Sequence, residues 1–121
     1  MKNIILGSVL AVAAVTSLSA NAVTICAGVE AKDGAAVSSA ATGFVKVGFT
    51  PKCSANVFLD GNDKSSTVYN VSSGSAKGKK IFAGSTVGGA VSPVAGSAGT
   101  CPADGCTAAL VTAQVNAAEG S

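Results

Sequence analysis

The chain has 121 residues, a formal net charge of +2, four cysteines, no histidine and no tryptophan, and only 12% of its residues are charged. Every basic residue is a lysine, and a near-neutral chain without arginine argues against nucleic acid and offers no polybasic anchor for an anionic membrane. Without histidine, a serine nucleophile lacks its usual base, and a zinc or copper site would need cysteine and carboxylate alone.

Residues 1–22 have the form of a cleaved signal peptide. Lys2 supplies the positive start, residues 4–15 are apolar, and Ala20-Asn21-Ala22 fits the small-x-small cleavage pattern. The apolar run is too short to span a bilayer comfortably, so no membrane span is expected after cleavage. Ile25 stands before Cys26 where a lipoprotein signal has a small residue. Removal of the leader predicts export to the cell surface or extracellular space, with the periplasm as the alternative, and leaves residues 23–121 as one small domain.

Residues 23–30 alternate. Val23, Ile25, Ala27 and Val29 fall on one face and Thr24, Cys26, Gly28 and Glu30 on the other, the two-residue period of a strand. Residues 31–43 are small and polar, a loop or a short helix over 35–41. Val45, Val47 and Phe49 alternate with Lys46, Gly48 and Thr50 and predict a strand. Val57-Phe58-Leu59 predicts its partner, closed by Asp60-Gly61-Asn62-Asp63 as a turn. These two runs are the expected central pair.

Residues 65–71 are rich in β-preferring types and predict another strand. Residues 72–80 read as a turn, and Ile81-Phe82-Ala83 as a short strand with a lysine-rich approach. Residues 83–100 are low in complexity and read as a long loop with one weak strand. In the last segment Ala109, Val111, Ala113, Val115 and Ala117 alternate with Leu110, Thr112, Gln114 and Asn116. The alanines also suit a helix, but valine and threonine favour a strand over 109–117.

The four cysteines, Cys26, Cys53, Cys101 and Cys106, suit two disulfides in an exported chain. Three pairings are possible. The turn composition of residues 101–106 favours Cys101–Cys106 with Cys26–Cys53, while the other pairings would tie the C-terminal region back to the core. The bulky apolar content is thin: Val, Ile, Leu and Phe make up about a fifth of residues 23–121, near the level of roughly 20% below which chains tend to disorder. Disulfides and contact with neighbouring copies are the expected supports.

Candidate motifs stop short of their patterns. Four residues separate Cys101 from Cys106, against two in a redox pair. Residues 60–63 lack the alternation and distal glutamate of a calcium loop. Residues 73–80 have Ser73 and Lys80 where a phosphate loop has glycine and a hydroxyl. No cofactor or metal site is predicted, and no catalytic pair is singled out among the six acids. Asn70-Val71-Ser72 fits the N-glycosylation sequence.

The signal peptide, the Val/Thr/Ala/Gly/Ser-rich mature chain, the few aromatics and the disulfides make the whole chain similar, in composition and organisation, to small bacterial pilins and fibre subunits. It departs from type IV pilins, which keep a long apolar N-terminal helix, and from chaperone–usher pilins, which often have a tyrosine near the C-terminus. The expectation is an all-β, disulfide-stapled antiparallel sandwich or barrel-like domain. It is expected to be a non-enzymatic structural protein that forms a homo-oligomer or polymer through edge strands carrying Val23, Ile25, Val29, Val111 and Val115. A monomeric secreted binding module, using loops at 77–80 and 83–100 on a protein or carbohydrate partner, is the alternative.

Overall fold

The computed structural model describes residues 22–117. The expected signal peptide, apart from Ala22, and the last four residues lie outside the described residues. The described chain is mostly β, with antiparallel sheets and two disulfides, Cys26–Cys53 and Cys101–Cys106.

The main sheet has five strands. Strand β1 is Val23–Ala27, β4 is Val57–Asp63, β5 is Tyr69–Ser75, β6 is Ile81–Ser85 and β7 is Gly88–Pro93, in the order β1-β4-β5-β6-β7. Two short strands, β2 at Lys32–Asp33 and β3 at Lys52–Cys53, form a separate ribbon. A 3-10 turn at Ser97–Gly99 leads through the Cys101–Cys106 loop into helix α1, Ala108–Ala117. The helix packs on β4, β5 and β6, so this face of the sheet is covered by a helix rather than by a second sheet.

Each face of the sheet has its own small core. Ile81, Cys101, Cys106 and Val111 are buried together under α1, with Phe58, Val94 and Leu110 packed against them. On the opposite face Ile25, Cys26 and Val37 are buried together, with Val45, Cys53, Leu59 and Tyr69 around them. Each core contains one disulfide, which is how a chain with so few large side chains closes both sides of one sheet.

The segment expected to be a terminal strand is the helix. Val111 and Val115 are both fully buried in it. A period of two and a spacing of four share these two positions; Ala113 separates them, because a strand would bury it and a helix would not. Ala113 is exposed. Thr107 caps the helix, accepting from Leu110 N at 3.4 Å. Ten residues are too few for a stable isolated helix, so α1 depends on the sheet.

Other expectations are corrected. Residues 44–50 form no strand; Val37 and Phe49 exchange single backbone bonds at 2.8 and 3.0 Å, an isolated bridge, and Val47 is 79% exposed. Residues 60–63 are not a turn but the second half of β4. The Tyr69 hydroxyl lies over Gly61, 2.2 Å from where a Cβ would stand, so a side chain at this position would displace the Tyr69 ring. Asp63 accepts from Phe44 N at 2.7 Å and Val45 N at 3.2 Å, pinning the preceding loop instead of turning the chain. Residues 69–75 are all strand, so β5 runs beyond its expected end. The low-complexity stretch does hold one weak strand, as expected: it is β7, which forms a hairpin with β6. In β1 the register shifts between Thr24 and Cys26. This bulge buries the neighbours Ile25 and Cys26 together and carries Cys26 to Cys53.

Three variants test this packing. On the chain-entropy account, replacing Cys26 and Cys53 together by alanine lowers stability by about 3.5 kcal/mol, and replacing Cys101 and Cys106 by about 2 kcal/mol, because the second bridge closes the shorter loop. Val111→Ala, with the side chain fully buried, lowers it by about 2 kcal/mol. Equilibrium urea unfolding reads all three.

Candidate functional site

Two features stand apart from ordinary packing: an open edge beside an apolar strip, and a polar seam beneath α1.

The edge is β7. It ends the strand order, and all six of its residues are exposed. Phe82 is 41% and Val91 61% exposed on the sheet face away from α1. Two shallow depressions lie on that face. One of about 380 Å³ runs between Val57, Phe82 and Lys80, and one of about 190 Å³ between Tyr69, Val71, Gly84 and Val91. The other edge strand, β1, is partly occupied, because Ala35 N donates to Ile25 O at 2.9 Å.

The expected assembly residues therefore divide. Val23 lies in β1 and is half exposed, and Val29 is exposed just beyond it. Ile25 is buried on the sheet face that carries the Cys26–Cys53 disulfide. Val111 and Val115 are inside α1 and in the core, so they do not lie on an edge strand. The weak strand expected within residues 83–100 is β7; its place as an open edge was not foreseen, because Gly88-Gly89 and Pro93 read as loop residues, and Val87 and Val91 were the available signal.

The seam lies where β4 and β5 face the helix. Register sets Asp60 opposite Ser72 and Asn62 opposite Asn70. All four are at most 1% exposed. From above, Thr112 Oγ1 bonds Asp60 Oδ2, and Asn62 Nδ2 donates to Asn116 Oδ1 at 3.0 Å. Ser72 Oγ donates to Val111 O at 2.6 Å, and Asn70 Nδ2 donates to Val115 O at 3.5 Å. Burial raises the Asp60 carboxyl above its ordinary value, opposed by the hydroxyls of Thr112 and Thr24. Asp60 Oδ1, Asn62 Oδ1 and Asn70 Oδ1 accept no hydrogen bond. Asn70, in the glycosylation sequence, is wholly inside this seam.

The remaining charges are dispersed. Lys52 pairs with Asp33 across the exposed ribbon. Lys79 Nζ donates to Ala103 O at 3.0 Å and Lys80 Nζ to Thr100 Oγ1 at 3.2 Å, so these lysines brace the Cys101–Cys106 loop. On the face away from α1, burial and then the charge of Asp63 raise the Tyr69 phenol. Among the described residues no three metal-ligating side chains gather, and no helix is long and apolar enough to cross a membrane. Set beside known protein families, curated proteins and solved structures, the chain matches none of them.

Asn116→Ala removes the acceptor of Asn62 Nδ2 in the seam and lowers stability by about 1–3 kcal/mol. Ala113→Ser, on the exposed side of the same helix, changes it by less than about 0.5 kcal/mol. Thermal unfolding of both variants checks the orientation of α1.

Proposed function

We propose that this chain is an exported, non-enzymatic structural subunit that associates with its own kind at the cell surface or outside the cell. The observation that supports the reading is β7, an edge strand exposed along its whole length beside the apolar strip of Phe82 and Val91. An unpaired edge offers backbone donors and acceptors to another strand. No charged side chain lies on β7 to oppose a second copy. The exposed edge near Val23 is the secondary contact, since part of β1 is already occupied.

Compartment and chemistry support the same reading. The two disulfides are consistent with an oxidising extracellular compartment. Three of the six acidic residues serve structure: Asp33 pairs with Lys52, Asp63 holds a loop, and Asp60 is buried beneath α1. A hydrolase would need two of them facing each other across a cleft.

Sedimentation velocity of the oxidised protein across a concentration series tests the proposal. The expected result is reversible association that Val91→Lys weakens at least about tenfold, the equivalent of about 1.4 kcal/mol, while stability shifts by less than about 0.5 kcal/mol. A wild-type protein that stays monomeric throughout the series overturns self-association and favours the monomeric binding module.

A further inference from the structure

The seam beneath α1 contains more acceptors than donors. Thr112 Oγ1 lies within bonding reach of Asp60 Oδ2 and also of Ala108 O, the latter at 3.0 Å. A threonine hydroxyl has one hydrogen. If it goes to the Ala108 carbonyl, which has none to give, the contact with Asp60 needs a hydrogen from the carboxyl. Beside it, Asp60 Oδ1, Asn62 Oδ1 and Asn70 Oδ1 are buried acceptors without donors. The Asn70 amide cannot simply be reversed, because its Nδ2 already faces the Val115 carbonyl oxygen.

Among the described residues no positive charge faces Asp60 in this place. Thr24 faces Asp60 from β1, Ser72 from β5 and Thr112 from α1. None of these is a charged residue. Helix α1 contains no charged residue at all. The next acid on β4, Asp63, is occupied by the backbone of Phe44 and Val45. A carboxylate at position 60 would be a full negative charge out of water, met by neutral hydroxyls and by lone pairs and without a partner cation.

We propose that Asp60 is carried as the neutral acid and that its proton is the catch that holds α1 on the sheet. Asp60 Oδ2–H donates to Thr112 Oγ1, and Thr112 passes its own hydrogen to Ala108 O. Loss of the proton to solvent leaves a buried carboxylate, and the helix lifts to let water reach it. The inference is independent of self-association, since the seam and β7 share no residue. The raised Asp60 value agrees with it. Its sign is fixed by linkage: a group raised on folding stabilises the fold below its unfolded value, and that stability is lost as pH rises through the folded value.

Carbon-13 NMR titration of the oxidised protein, followed at the Asp60 carboxyl carbon, tests the protonation state, and thermal unfolding against pH tests the catch. Asp60 is expected to titrate above the ordinary carboxylate value, and the melting temperature to fall as pH rises through that midpoint. Asp60→Asn is neutral at every pH and brings two N–H donors to the starved acceptors. It is expected to abolish this fall and to melt above the wild type on the high-pH side. An Asp60 that titrates at or below the ordinary value overturns the proposal. So does an Asp60→Asn protein that folds yet keeps the wild-type fall. Should Asp60→Asn fail to fold, the wild-type titration alone decides.

Discussion

Every fourth residue of α1 meets every second residue of the strands below it. Four residues of helix advance about 6 Å, and two residues of strand advance about 6.7 Å. Asp60 and Asn62 on β4 therefore meet Thr112 and Asn116 in the same order. Ser72 and Asn70 on β5 meet the carbonyls of Val111 and Val115 in reverse order, as an antiparallel strand must. This correspondence of two repeats is the constraint on which the fold rests. It fixes the direction and register of the helix, and it seats Val111 and Val115, the only buried side chains of α1.

The arrangement answers the scarcity of bulky apolar residues. One layer of polar pairs replaces what a larger protein would fill with leucine and phenylalanine. Such pairs contribute only about 1 kcal/mol each when made, but leaving one partner buried and alone is more damaging. They make the docking of α1 specific rather than strong. The disulfides act on either side of this seam. Cys101–Cys106 precedes the helix in a tight loop that needs glycine at Gly105, with φ of +118°. Cys26–Cys53 ties β1 to the ribbon on the opposite face, where the bulge at Ile25 delivers it. With β1 partly covered and one face taken by α1, exposure collects at β7 and the strip beside it.

Much of this was legible in the residues, and the misses share a physical cause. The strand at Val23, the strand start at Ile81 and both disulfide pairings follow from alternation, composition and cysteine spacing. The turn expected at residues 60–63 and the strand expected at 109–117 fail together, because each is explained only by the other. Asp60 and Asn62 look like turn formers until Thr112 and Asn116 are set above them. Val111 and Val115 satisfy a strand and a helix equally until something polar claims Thr112 and Asn116. Local preference is weak evidence when tertiary contact decides. The alternation of Val45, Val47 and Phe49 misleads for a related reason: no neighbouring strand pairs with it apart from the single bridge at Phe49.

The joint dependence of helix and sheet is the centre of this account, and native-state hydrogen exchange measures it directly. In the oxidised protein under low denaturant, the amides of α1 and those of β4 and β5 are expected to exchange through the same opening, with one free energy and one denaturant dependence. Protection that vanishes across residues 111–117 while the β4–β5 amides stay fully protected would show that the helix is an accessory, and the account would be wrong.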